Sequence, residues 1–223
     1  MNGINSLITI KAWRRPKMLG SVLSNLANCY GIENYDVFIS VDKFNAENLD
    51  SDFASEIEKS NIIKEAKSVN TIYQNENIGC AGNTNICLES AFKFHKLDYM
   101  IHLEDDSVPA IDFLKFMEWS YDFIKDREDI LCVCPFVRKI YQEKHNINPK
   151  KEDIHKVVLM NFFDPGGGFA ITKERYNDIQ NGGGLLGISS KHVGDERNGK
   201  EWLDYCIKTG GKTTPKRILG VVS

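Results

Sequence analysis

No stretch of this 223-residue chain stays apolar for long enough to cross a bilayer, which takes about 20 consecutive apolar residues. The N-terminal MNGINSLITIKAWRRP lacks the long core of a signal peptide, because its apolar run, SLITI, is short and continues as a strand. Together these absences make a cytoplasmic protein the expectation. An excess of positive charge is missing too: 28 Lys and Arg stand against 31 Asp and Glu, a formal net charge of −3. That leaves no electrostatic case for nucleic acid or an anionic membrane as partner. Six cysteines are present, at 29, 80, 87, 132, 134 and 206, but none forms a CxxC pair and no further close ligands complete a zinc site. They read as reduced core thiols, with Cys132 and Cys134 on one face of an apolar strand. Repeats, low-complexity tracts, the Walker lysine and the GxGxxG spacing are all absent.

What is there is ordinary for a soluble globular protein, 42% apolar and 26% charged residues, in a length that suits one large domain. SLITIKA (6–12), YDVFISVD (35–42), VNTIYQN (69–75), DYMIHLED (98–105) and ILCVCPFV (130–137) predict strands. Between them, Pro16 opens a helix with Leu19, Val22, Leu23 and Leu26 on one stripe, and 48–66 reads as a second, polar helix. NIGCAGNTN (77–85) is a glycine-rich turn opening a helix through about His95, and DFLKFMEWSYDFIK (112–125) is an amphipathic helix. The segment 138–156 reads as a polar loop, 157–172 as two short apolar runs around a triple glycine, 173–179 and 201–210 as helices, and the C-terminus as a strand. Strands alternating with helices predict an α/β fold with a mostly parallel central sheet flanked by helices. Ligands bind such folds beyond the carboxyl ends of the strands. Arg14–Arg15, Asp42 and the triplet Glu104-Asp105-Asp106 all fall at such ends.

Two readings are open for the triplet. It is a solvated acidic turn, or a set of hard oxygen ligands for Mn²⁺ or Mg²⁺ that bridges to a diphosphate. Gly79, Gly82 and Asn83 in NIGCAGNTN either cradle a phosphate at a helix start or simply open the helix. Gly167 and Gly168 in DPGGGF (164–169) either let a ligand approach closely or form a tight turn. His102 shares a strand face with Glu104 and is expected to pack beneath the site, whereas His192 reads as a solvated loop residue.

The order of strand–RRP–helix, strand–ISVD, NIG–GNTN–helix and strand–LEDDSVPAIDFLKFM, followed by NFFDPGGGF (161–169) and EWLDY (201–205), resembles a GT-A glycosyltransferase. It is most similar to the N-acetylglucosaminyltransferase family that initiates complex N-glycans, over roughly residues 6–218. The resemblance implies one GT-A domain over 1–223, with a nucleotide-binding part over about 1–110 and an acceptor and catalytic part over about 111–223. It implies that Arg15 touches the nucleotide, that Asp42 accepts the uracil N3–H, and that Glu104 and Asp105 face the donor sugar and ribose. Asp106 would bind Mn²⁺ (or Mg²⁺), Asp204 would be the general base, and Gly79, Asn83, Gly167 and Gly168 would line the donor site. The chemistry of each residue agrees: an acceptor-only carboxylate suits an imide N–H, and a guanidinium suits phosphate. The family's signal anchor and its closing loop have no counterpart in the sequence, nor does 138–156 match.

The implied activity is inverting, metal-dependent transfer of a sugar from a UDP-linked donor to an acceptor hydroxyl. A nucleotidyltransferase that makes sugar nucleotides would carry a glycine-rich basic loop after the first strand, and KAWRRPK has no glycine. A catalytically inactive nucleotide- or sugar-binding module is the other alternative, against which Asp106 and Asp204 both stand intact.

Overall fold

SLITIKA folds as β1 (Ser6–Ala12), and all of it except Lys11 is buried. A strand with covered faces on both sides is what an apolar run in a parallel sheet predicts. The computed structural model describes residues 4–44, 49–136, 156–160, 167–181 and 217–222, and the chain divides into two compact units, Met1–Trp119 and Ser120–Ser223.

In the first unit β1 pairs in parallel with β2 (Asp36–Val41) on one side and with β4 (Tyr99–Glu104) on the other, and β3 (Ser68–Tyr73) adds in parallel to β2. The strand order is therefore β3-β2-β1-β4. Register brings Ala12 opposite Val41 and Lys11 opposite Glu104, so the carboxyl ends of three strands lie side by side. α1 (Pro16–Leu26) starts on its proline and buries Leu19, Val22, Leu23 and Leu26, the predicted stripe. Each such side chain contributes about 1.5–3 kcal/mol on full burial.

The polar helix expected over 48–66 breaks in two: α2 (Leu49–Lys59) and α3 (Ile62–Glu65). The buried Ser60 hydroxyl donates to Ile57 O at 2.6 Å and accepts Ile62 N–H at 3.4 Å, while Asn61 turns left-handed at φ 63°. A side chain that competes for backbone partners ends the helix there. α4 (Gly79–Glu89) runs on into a π-helical turn (Ser90–Phe94), and α5 (Phe113–Ile124) follows β4.

The second unit contains β5 (Ile130–Cys134), β6 (Lys156–Met160), β7 (Phe169–Thr172), α6 (Lys173–Asn181) and β8 (Arg217–Val222). β5 pairs antiparallel with β7 and parallel with β8, and β6 pairs antiparallel with β8. Pairing here is mixed, where the strand–helix alternation of the first unit gives only parallel neighbours. Cys132 and Cys134 are buried, as expected of core residues. The helix expected over 201–210 lies outside the described residues. Among the described residues, no helix is long and apolar enough to cross a membrane.

Candidate functional site

Three adjacent carboxylates repel one another unless cations stand close, and here every one of them has a cation. Lys11 Nζ lies 3.1 Å from Glu104 Oε1. The Arg15 guanidinium is shared, one nitrogen on Asp105 and the other 2.7 Å from Asp106 Oδ2. Both cations leave from β1, so the parallel β1–β4 register builds the cluster. Between them Arg14 adopts a left-handed φ of 63°, rare for a residue with a Cβ. The turn places the Trp13 N–H 3.0 Å from Asp105 Oδ2, beside Arg15 on the same carboxylate. The Arg14 side chain stacks outward over Trp13 and Phe44, at 4.8 and 4.6 Å from their ring centres.

The three acids differ in what they can still do. Asp105 is 2% exposed, and both of its oxygens are engaged. Burial pushes its carboxyl above the usual range; the Trp13 N–H and Arg15 oppose that rise, and Asp106 adds to it. Glu104 gives one oxygen to Lys11. The Asp106 side chain is 39% exposed, against 22% for Glu104 and 3% for Asp105, and among the described residues it holds only Arg15. Among the described residues, no three His, Cys, Asp or Glu side chains group as a metal site. The donor set nevertheless suits a hard divalent cation: Asp106 would hold it, and further oxygens would have to come from a bound diphosphate.

Asp42 follows β2 and is almost fully buried. Its Oδ1 accepts the N–H groups of Lys43 and Ile78, both at 2.9 Å, and its Oδ2 accepts that of Gly79 at 2.9 Å. The resemblance makes Asp42 a reader of the base. The structure shows it fastening the turn that opens α4, with three of about four acceptor positions used. Gly79 sits in that turn at φ +71°, a conformation that suits glycine, although a Cβ would meet nothing within 4 Å. Asp42→Ala would strand the N–H groups of Lys43 and Ile78 and leave that of Gly79 only Asn77 Oδ1, at 3.0 Å. It is expected to lower unfolding stability by about 2–3 kcal/mol or more, as for lost hydrogen bonds to a charged group. A denaturant midpoint unchanged by the substitution would show that water replaces the carboxylate without loss.

Beyond the strand ends lies a pocket of about 200 Å³, and Arg15, Asp42, Gly79, Asn83, Glu104 and Asp105 all line it. Six of the residues singled out in the sequence thus meet at one place. Gly167 and Gly168 belong to the second unit, where both are buried at the entry to β7. Gly168 has φ +84°, and a Cβ on Gly167 would come within 3.1 Å of the Phe136 side chain. Asp204 lies outside the described residues.

Lys11, Trp13, Asn77 and Cys80 also line the pocket and escape the sequence reading. Lys11 carried a signal: a lysine inside an otherwise buried strand needs a partner. Cys80 is exposed, which corrects its reading as a core thiol. His102 packs beneath the site as expected. It is buried, its Nδ1 lies 2.9 Å from Thr9 Oγ1, and burial, with Lys11 nearby, holds its pKa well below the usual value, so it is neutral.

No protein-family model matches the sequence, and no curated protein matches it. Solved structures do match in fold. A mannosyltransferase of Pyrobaculum calidifontis, PcManGT, in complex with GDP-Man and Mn²⁺, superposes with a TM-score of 0.61 at 14% identity, over 97% of this chain and 56% of that one. Staphylococcus aureus TarS 1–349 superposes at 0.60 with 11% identity, over 98% of this chain and 58% of that one. The same TarS segment in complex with UDP-GlcNAc superposes at 0.57 with 12% identity, over 98% and 56%. The chain spans a little over half the length of the solved structures it matches. The fold is α/β of the GT-A, Rossmann-like type, with a mostly parallel sheet flanked by helices.

Proposed function

We propose that this protein is a glycosyltransferase that takes a sugar, hexosyl or N-acetylhexosaminyl, from a UDP-linked donor and passes it to an acceptor hydroxyl with inversion, aided by Mn²⁺ or Mg²⁺. The observation that carries the reading is the pocket at the ends of β1, β2 and β4, lined by Arg15, Asp42 and the first two acids of the triplet. The fold shared with TarS and PcManGT, which bind UDP-GlcNAc and GDP-Man, supports the same ligand class. The resemblance of the sequence to an N-acetylglucosaminyltransferase family favours UDP over GDP.

In this reading Arg15 turns from the carboxylates to the diphosphate. Glu104 and Asp105 accept hydroxyls of the ribose and sugar, and Gly79 and Asn83 shape the wall beside the base. Asp106 holds the divalent ion, whose chemistry is to offset charge on the departing diphosphate. Gly167 and Gly168 would leave room for the donor sugar. Asp204 takes the proton of the acceptor hydroxyl, whose oxygen attacks the anomeric carbon from the face opposite the diphosphate.

Cys80 supplies the test, because it is an exposed thiol in the pocket wall while the other described cysteines are buried. Alkylation of the Cys80 peptide by iodoacetamide is followed by mass spectrometry with UDP-, GDP- and CDP-sugars plus Mn²⁺. A ligand at about ten times its Kd should slow the reaction about tenfold, by simple occupancy, and UDP-sugars should do so at the lowest concentration. Protection by none of them would remove nucleotide-sugars from this pocket. Protection without transfer to any of a panel of hydroxyl acceptors would favour an inactive binding module.

A further inference from the structure

α4 does not cover the sheet as an ordinary amphipathic helix does. Its buried positions include Asn83, Thr84 and Asn85 beside Cys87 and Leu88, and the strands of this unit bury Thr9, Ser40 and His102. Buried polar groups cost free energy unless they are matched, and this layer is matched in part: Asn83 Nδ2 donates to Ser40 O at 3.1 Å and Thr9 meets His102, while Asn83 Oδ1 has no hydrogen-bond partner among the described residues.

Lys11 stands in this layer at the edge of the pocket, its side chain 13% exposed. An ammonium has three hydrogens to donate. Lys11 has three acceptors for them: Glu104 Oε1 at 3.1 Å, Cys80 Sγ at 2.9 Å and Thr84 Oγ1 at 3.2 Å. No donor is left for a ligand. Burial pulls the lysine's pKa down, but Glu104 and Cys80 more than offset it, so Lys11 remains a cation and is no acid or base at neutral pH. Glu104 is in the opposite position. One oxygen faces Lys11, and among the described residues the other, Oε2, has no protein partner while the side chain lines the pocket.

We propose that Lys11 is a positioning residue of the donor site. It ties the end of β4 to the first turns of α4 and fixes the Glu104 carboxylate so that Oε2 is presented to a hydroxyl of the bound nucleotide-sugar. The inference rests on the glycosyltransferase reading. It adds a residue that the family resemblance does not supply, since nothing in that resemblance falls on Lys11.

The test is a double-mutant cycle on donor affinity, measured by calorimetry with a UDP-sugar and Mn²⁺. Lys11→Met is expected to weaken binding about tenfold, the size of one charge-assisted contact. In a Glu104→Gln background the same change should cost less than about twofold, because coupled residues are non-additive. Binding by Lys11→Met within about twofold of wild type, or a full tenfold loss repeated in the Glu104→Gln background, overturns the proposal on the same coupling argument. If Lys11→Met lacks the wild-type circular dichroism spectrum, Lys11→Gln is read through the same cycle against the same two outcomes. A lysine whose every replacement unfolds the chain is structural, and that result overturns the proposal too. Wild-type protein that binds no nucleotide-sugar defeats the glycosyltransferase reading first. Wild-type binding with an uncoupled Lys11 defeats only this inference.

Discussion

Asp204→Asn is expected to bind a UDP-sugar and Mn²⁺ as wild type does and to transfer the sugar at least about a hundredfold more slowly, the lower end of what a general base contributes. The substitution keeps the shape of the side chain and most of its hydrogen bonding while removing the lone pair that takes the proton. Asp204 stands in EWLDY, where the sequence predicts a helix. Glu201, nearly one turn earlier on the same predicted face, is the competing base. The place of Asp204 after a tryptophan, as in the resembled family, favours it. Single-turnover transfer and donor affinity of Asp204→Asn and Glu201→Gln, side by side, decide the matter. A loss confined to single-turnover rate marks an interaction made in the transition state. Normal transfer by Asp204→Asn with loss in Glu201→Gln would move the base to Glu201, and normal transfer by both would take this segment out of the chemistry.

β1, β2 and β4 were legible because each is an apolar run closed by a charged residue, the pattern of a covered parallel strand. The site was legible for a related reason: a strand that must end in water shows its last residues plainly, and Arg15, Asp42 and Glu104–Asp106 all stand there. What pairs with what was not legible. Lys11 meets Glu104 because β1 and β4 align in one register, and Thr84 joins them from 73 residues away. Nothing local in SLITIKA encodes either partner. The resemblance made Asp42 a partner for a base; the backbone donors of Ile78 and Gly79 that it also holds are brought by the fold and have no local signal. The break at Asn61 turned on a single serine hydroxyl competing with the helix, a choice that propensity over a long window averages away. In the second unit the strands were readable but their direction was not, since a short strand has the same pattern whichever way it runs.

Asp106→Ala is expected to abolish the metal-dependent part of UDP affinity, so that EDTA no longer changes it. The Arg15 side chain is 43% exposed and that of Asp106 39%, so their ion pair is worth about 0–1 kcal/mol after solvent screening. That half of the contact yields readily; the other half, on the nearly buried Asp105, has to be offset by the diphosphate and by the hydroxyls that Asp105 accepts in its place. A diphosphate offers the guanidinium a better bidentate partner, and its departure leaves the Asp106 carboxylate free toward solvent. One carboxylate makes a poor site for Mn²⁺ or Mg²⁺ alone, and phosphate oxygens complete it. The metal and the nucleotide should therefore bind together, each weakly without the other. Arg15→Ala separates the two effects because its consequences have opposite signs. UDP affinity in the presence of Mn²⁺ should fall about tenfold, the worth of one charge-assisted contact, whereas Mn²⁺ alone should bind more tightly once a positive charge has left the triplet. Calorimetry of UDP with and without Mn²⁺, and of Mn²⁺ alone, on the wild type and both variants measures every term. UDP binding unaffected by EDTA in the wild type and unchanged in Asp106→Ala would return the triplet to an acidic turn that Lys11 and Arg15 hold together for the sake of the fold.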